Sequence, residues 1–587
     1  MPPPDLQRSL MEALAHHRAG RATEAERAYR KILEKYPDEP DALHLYGVLI
    51  GQAGQVERGM ELIRRAIQLR PMAAEFHANL GHFHQLQGRQ DLAEASFATA
   101  VANKPDFAEG HHSLALALLA LQKHEAAITA ARRAIELRPN HADSHRVLGM
   151  ALMKKSRMKE AANAFRRALD LDPSNIETHN NLGICLAEMH DNDRAIAAFQ
   201  YAIRLDANRA SSYVNLAGAY REKDMIDEAQ QAVATALRLD PNLGAAHVIG
   251  GLLDFDAGRY DQAMAGFNRG LELEPALAIG NWNRGLLRLL HGDFENGWRD
   301  YEWRLKDVGS FKVRPMTIPQ WDGSDLTGRR LLIHSEQGLG DTIQFIRFAP
   351  ILAERGGRVI FLCHSELGRL LANFPGVEKL VTRMEDLPEA DVHCPMLSLP
   401  HAMKIGGHIP AAAPYISAEK ELTDKWASRL PRSGLRVGIV WAGRPDHRND
   451  RNRSIHLRQL LPLFGVPGVR FFSLQKGKAS EQIAAAGGVE LMDWTAELND
   501  FAETAALIAS LDLVIAVDTA VAHLAGAMGK PVWILLPNVP DWRWMLERQD
   551  SPWYPTARLF RQSRRGDWES VIGRVGEALK KLATAGP

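Results

Sequence analysis

The sequence predicts two architectures in series: an α-solenoid of paired helices, then an α/β region built as two doubly wound lobes. Three observations carry this. A 34-residue period runs through the first half. Short, β-branched, continuously apolar runs alternate with amphipathic stretches in the second half. Two of those runs lead straight into a helix start, the place where an open α/β sheet holds an anion.

The period comes first along the chain. Pro37, Pro71, Pro105, Pro139, Pro173, Pro241 and Pro275 form one column, with Ala207 in the open place. Gly47, Gly81, Ala115, Gly149, Gly183, Ala217, Gly251 and Gly285 form a second. A third column is small: Ala25, Gly59, Ala93, Ala127, Ala161, Ala195, Ala229 and Ala263. Tyr29, Phe97, Phe165, Phe199 and Phe267 form a fourth. Small residues let two helices touch, the aromatic fills the gap between them, and proline follows a helix that it cannot continue. The pattern resembles the tetratricopeptide repeat (TPR). It gives eight repeats plus a partial ninth, which ends in Gly297-Trp298 and Tyr301-Glu302-Trp303-Arg304. The repeats are assigned to 1–311. Such arrays stack into a superhelix with a concave groove for a partner.

Two further columns bear on what the groove holds. Asn79, Asn181, Asn215 and Asn283 share one position, with Ser113, Val147 and Ile249 between them. An amide offers both donor and acceptor, so a ladder of amides can grip an extended backbone without reading its sequence. In this the array resembles TPR-bearing protein O-glycosyltransferases, which implies that these asparagines bind the acceptor polypeptide. The plainer reading is tolerated polarity on an exposed helix face. His77, His111, His145, His179 and His247 form the other column. Histidines one repeat apart are about 10 Å apart at ordinary helix spacing. Zinc ligands stand about 2 Å from one ion, so helix packing explains this column.

In the second half the expected strands are 331–334, 358–363, 436–441, 470–474, 513–517 and 532–536. A Gly- and Pro-bearing stretch, 401–434, separates two lobes. They are assigned to 312–430 (acceptor side) and 431–587 (donor side). Two such lobes around a cleft resemble the GT-B glycosyltransferase architecture. Trp568, Val571, Ile572, Val575, Leu579 and Leu582 share one face of a terminal helix, expected to pack back across the lobes.

Three motifs follow strands. Glu336-Gln337-Gly338-Leu339-Gly340-Asp341-Thr342 opens a helix with glycines that let backbone amides approach a ligand. It lacks the third glycine of the dinucleotide fingerprint. Asp518-Thr519 can cap the next such helix, and His523 lies one turn on. Trp441–Ser454 carries Arg444, Arg448, Arg451, Arg453 and His447 on one loop, a phosphate-binding set or a solvated one. Both helix starts resemble the heptosyltransferase-like glycosyltransferases of family 9. The resemblance implies that Asp341 is the base for an acceptor hydroxyl and that His523 neutralises the leaving phosphate. It places Gly338, Gly340, Arg453, Ser454, Asp518 and Thr519 around the donor. Gln475 and Lys478 resemble donor-site residues of the protein O-glycosyltransferases, with Lys476 an equal neighbour. The aromatic Pro540-Asp541-Trp542-Arg543-Trp544 stretch reads as a pinned loop.

Composition narrows the class. The 71 Lys+Arg and 71 Asp+Glu residues balance, which argues against a general nucleic-acid or anionic-membrane binder. Cys185, Cys363 and Cys394 are too few for a disulfide framework, so a reducing compartment is expected. No leader peptide and no apolar run of membrane-spanning length stands out, and the expected location is cytoplasmic. Asp-x-Asp triplets occur at Asp170/Asp172, Asp191/Asp193 and Asp254/Asp256, all within the repeats. The expectation is therefore transfer without a metal or other cofactor, with a nucleotide-sugar as cosubstrate. TPR repeats joined to such a domain resemble bacterial TPR glycosyltransferases, some of them flagellin glycosyltransferases that use a CMP-linked nonulosonic acid such as pseudaminic acid. The implied activity is protein O-glycosylation of Ser/Thr, with flagellin the favoured acceptor. A heptosyltransferase-like enzyme acting on lipopolysaccharide or glycan, and an adaptor with an inactive GT-B domain, are the alternatives.

Overall fold

The structure is a computed structural model, and it describes residues 3–306, 316–407, 409–410, 413–447 and 449–585. The sequence-assigned boundary at 311/312 and Arg448 lie outside them. The chain forms two compact units, Met1–Pro241 and Asn242–Pro587.

The first unit is seven helix pairs, from Pro4–Arg18 with Ala22–Lys35 to Ala210–Glu222 with Ile226–Leu239. The glycine column works by steric absence. A Cβ on Gly81, Gly149 or Gly183 would stand 2.7, 2.6 or 2.4 Å from the ring of Phe97, Phe165 or Phe199. Each ring sits on the backbone of the helix before it and is buried. Ala25, Ala93, Ala127, Ala161 and Ala195 are fully buried at the same contact. The turn inside each pair needs a left-handed residue. Glycine supplies it at Gly20, Gly54 and Gly88, with φ of 70°, 93° and 73°. Gln122, Ser156, His190 and Asp224 take that conformation with a side chain, at a cost of roughly 1 kcal/mol or more each.

The histidine column has a structural task. His77, His111, His145 and His179 donate from Nε2 to the carbonyls of Pro71, Pro105, Pro139 and Pro173, at 2.7, 3.1, 2.9 and 3.0 Å. Tyr213 does the same for Ala207 at 3.3 Å. Each closes a carbonyl left open where the preceding helix ends.

The second unit begins with two more pairs, Gly244–Asp256 with Tyr260–Leu273 and Ala278–Leu290 with Phe294–Tyr301. The last helix has 8 residues and ends in a 3-10 turn, Glu302–Leu305. Two parallel sheets follow. The first contains β1 (Arg330–His334), β2 (Arg358–Leu362), β3 (Val377–Val381) and β4 (Val392–Pro395), in the order β3-β2-β1-β4. The second contains β5 (Leu435–Val440), β6 (Val469–Ser473), β7 (Leu491–Asp493), β8 (Leu513–Val517), β9 (Val532–Leu536) and β10 (Ala557–Arg561), in the order β10-β9-β8-β5-β6-β7. Strand order reverses between β1 and β4 and between β5 and β8, and ligands bind at such switch points. The four strands that the sequence pattern misses are β3, β4, β7 and β10. They carry charges, a proline, or only three residues, so no apolar run marks them.

One expectation is corrected. The terminal helix Trp568–Ala585 does not bridge the lobes. Val571, Ile572, Val575 and Leu579 pack with Leu457, Leu460 and Leu463 of the helix Leu457–Phe464, inside the second lobe.

Candidate functional site

The first wall of the cleft grows out of β1. After His334 the chain runs through Glu336, Gln337 and Gly338 into the helix Leu339–Phe345. Glu336 is anchored, not free. Arg304, fully buried, reaches Glu336 Oε1 and Oε2 at 2.9 Å through Nη2 and Oε2 at 3.1 Å through Nε. Burial opposes the Arg304 charge, but Glu336 and Glu302 outweigh it and hold the guanidinium firmly protonated. The next residue, Gln337, donates from Nε2 to the Tyr301 hydroxyl at 3.2 Å. Gly338 then starts the helix, and its N–H donates to Asp341 Oδ2 at 2.8 Å. Asp341 therefore caps its own helix while its other oxygen faces the second lobe.

The second wall grows out of β8. Asp518 and Thr519 lead into the helix Ala520–Ala527, with Thr519 at the cap position. Thr519 makes no capping bond, and its buried hydroxyl has no partner among the described residues. His523 lies one turn in. Its Nδ1 is 2.9 Å from the Tyr554 hydroxyl and its Nε2 is 3.7 Å from Asp518 Oδ1. Burial would raise the Asp518 carboxyl. The close approach of His523 and the positive charges of Arg453 and Arg543 reverse that and hold it below the usual carboxylate range. The two walls touch where side chains are missing: a Cβ on Gly340 would stand 2.8 Å from His523 Cδ2 and 3.5 Å from Ala520 Cα.

The loop after β5 closes one side. Arg453 donates from Nη1 to the Asp518 carbonyl at 3.0 Å and pairs with Asp450 at 3.4 Å. Ser454 accepts from the Gly443 N–H and donates to Asp450, both at 2.9 Å. Burial pushes the His447 ring down, and the Arg453 charge adds to it, against Asp518, Asp541 and Asp450. Arg444 pairs outward with Asp446. Gln475, placed at the donor by resemblance, is bound to the backbone of the β5 and β6 loops. Its Oε1 accepts from the Trp441 and Ala442 N–H groups at 3.0 and 2.8 Å, and its Nε2 donates to the Ala442 and Lys476 carbonyls. Both lysines of that turn, Lys476 and Lys478, are exposed, and Lys476 Nζ donates to the Thr495 and Leu498 carbonyls.

Arg543 is the residue that the sequence reading passed over. It pairs with Asp341 of the first lobe, pairs with Asp541 at 2.8 Å, and donates to Gln344 Oε1 at 2.7 Å. Burial opposes its charge, but Asp541 and Asp341 overrule that and keep it protonated. The surrounding tryptophans do pin the loop, since Trp542, Trp544 and Trp553 are buried. The signal was an arginine set between two tryptophans just past a buried strand, where a charge needs a partner.

The asparagine column divides. In the first unit Asn79 donates to His44 Nε2 at 2.7 Å and is spent. Asn181 and Asn215 are half-buried and make no side-chain hydrogen bond among the described residues. In the second unit Asn283 donates to the Ile279 carbonyl at 2.8 Å and is spent as well.

Known proteins bear on both parts. Tetratricopeptide repeat models match residues 10–71, 51–106, 112–176, 164–197 and 210–243. The model for glycosyltransferase family 9 (heptosyltransferase) matches 468–541, from the start of β6 to Asp541. The chain thus combines segments that match tetratricopeptide repeats with a segment that matches glycosyltransferase family 9. Protein FlbA of Caulobacter vibrioides is 30% identical over 335 residues, covering 51% of this chain and 55% of FlbA. The chain therefore spans about half the length of that relative. Among solved structures, YrrB, described as a TPR protein with an unusual peptide-binding site, is 20% identical with a TM-score of 0.30, covering 32% of this chain and 95% of YrrB. The Cut9–Hcn1 tetramer gives 20%, a TM-score of 0.34, and 45% and 52% coverage. MamA gives 22%, a TM-score of 0.27, and 28% and 95% coverage. No described helix is long and apolar enough to cross a membrane.

Proposed function

We propose that this chain is a protein O-glycosyltransferase. It transfers a sugar from a nucleotide-activated donor to Ser/Thr of a polypeptide held by the repeats. The carrying observation is the meeting of two helix starts, Gly338–Asp341 and Thr519–His523, at Gly340 and His523. One offers a carboxylate; the other offers the N–H groups of a helix end, a hydroxyl with no partner among the described residues and an imidazole. That pairs a group able to take a proton with a positive end able to receive a phosphate.

Asp341 takes the proton of the acceptor hydroxyl, which then attacks the anomeric carbon. The bond to the leaving phosphate breaks, and its negative charge falls to the Thr519–Ala520 helix end, His523 and the Arg453 loop. Asp518 keeps His523 oriented. Protein groups do the work of a divalent ion in this scheme. Asn181 and Asn215 hold acceptor backbone. Flagellin modified from a CMP-linked nonulosonic acid is the favoured pair, on resemblance alone.

Calorimetry of the full chain against CMP, UDP, ADP and GDP tests the donor. One nucleotide should bind selectively, and His523→Ala should abolish that binding. Mass spectrometry of flagellin incubated with the matching sugar nucleotide tests the acceptor. A folded chain that binds none of the four overturns the reading.

A further inference from the structure

We propose that Arg543 is the positioning residue for the Asp341 carboxylate, and that the last half-repeat, Phe294–Leu305, sets both of them. The inference rests on the reading of Asp341 as the base. It makes the end of the repeat array part of the catalytic machinery, not a connector to it.

The Arg543 side chain is 8% exposed. Each nitrogen of its fork is engaged: Nη2 to Asp341, Nε to Gln344 and Nη1 to Asp541. The guanidinium also lies 4.3 Å from the Trp542 ring centroid. A planar fork with three fixed acceptors has one orientation. Asp341 is then gripped twice, by Arg543 on Oδ1 and by the Gly338 N–H on Oδ2. Each carboxylate oxygen keeps a second lone pair for an acceptor hydroxyl. Arg543 thus acts through Asp341.

The same half-repeat touches both ends of that pair. On the Arg543 side, Trp298 meets Trp542 edge-on at 5.1 Å, and Tyr301 lies 6.3 Å from the same ring. On the Asp341 side, the Tyr301 hydroxyl accepts from Gln337 and Arg304 clamps Glu336, the two residues before Gly338. Trp298, Tyr301 and Arg304 are all buried. Ring contacts of this kind add about 0.5–1.5 kcal/mol beyond area and, more to the point, fix geometry. The compact unit accordingly begins at Asn242, inside the repeats. A cut at 311 would strip the Glu336 carboxylate of its guanidinium and uncover Trp542.

The test uses the full chain and steady-state sugar transfer. Arg543→Gln should lower kcat roughly 10²-fold, the loss expected of a misplaced catalytic group, with donor KM within about threefold. Arg543→Lys should recover part of it. Adding Arg543→Gln to Asp341→Asn should cost nothing further, because one acts through the other. Trp298→Ala should lower kcat about tenfold with the same KM split, though it lies in the repeats. A loss confined to KM, or costs that multiply in the Asp341→Asn/Arg543→Gln variant, overturns the proposal. Absence of transfer by the wild type sinks the enzymatic reading instead. The positioning claim is then decided by melting of the same single and double variants: coupled losses of Tm support it and additive losses overturn it.

Discussion

Gly340 lies against the ring of His523, with room for a hydrogen and none for a methyl. A Cβ there would stand 2.8 Å from Cδ2. The ring cannot swing aside, since Trp544 and Tyr554 flank it at 5.3 and 5.7 Å between centroids. Gly340→Ala should therefore push the two helix starts apart. The expected cost is about 1–3 kcal/mol of stability, with loss of nucleotide binding. Thermal melting and calorimetry on one preparation check both, and normal binding in a destabilised variant would separate stability from the site.

Arg304 and Glu336 form a buried pair whose partners are not interchangeable with water. Arg304→Ala leaves a carboxylate with the Leu397 N–H as its remaining hydrogen bond. Removing one member of a buried pair costs about 3–5 kcal/mol. Urea unfolding of the full chain should show that loss in the transition of the α/β unit.

His44 makes the first unit sensitive to mild acid. Burial pushes its ring down to about 4, and its Nε2 accepts a hydrogen bond from Asn79, which a protonated ring cannot do. The unfolded ring protonates near 6.5. Between about 6.5 and about 4 the unfolded chain binds the extra proton, so stability is full above that window and falls through it as pH drops. The loss is on the order of 3 kcal/mol. Melting at pH 7 and pH 4.5 should show a steep decline in the wild type and a shallower one in His44→Gln.

Asn181 and Asn215 should behave differently from Asn79. Asn181→Ala and Asn215→Ala remove amides with no internal partner, so Tm should hold within about 0.5 kcal/mol equivalent while the KM for the protein acceptor rises. Asn79→Ala should cost roughly 1 kcal/mol by stranding His44. Equal effects from all three would refute the division.

The repeats were legible because every contact recurs. Phe97, Phe165 and Phe199 each sit on a glycine sixteen residues earlier, so one column explains the others. Asp518, Thr519 and His523 stand out in the sequence because seven consecutive positions, Val517–His523, carry the strand end, the cap and the imidazole. The asparagine column was half legible, since its fate is set by a second column. One repeat earlier Asn79 meets His44, whereas the equivalent positions before Asn181 and Asn215 hold Arg146 and Asn180. Arg543 was not legible as a partner of Asp341. The two are 202 residues apart, and only the folding of two sheets brings them together.

The break in compactness after Pro241 has a consequence for how such chains change length. A solenoid is lengthened by duplicating a module, and each module answers only to its neighbours. Upstream of Pro241 a duplication or deletion of 34 residues keeps the recurring Gly/Phe contacts in phase. Downstream, the last module answers to Glu336, Gln337 and Trp542, so the same event there would shear a precision joint. A change in array length is thus tolerated at the amino-terminal end, and the half-repeat nearest the sheets is tied to the chemistry.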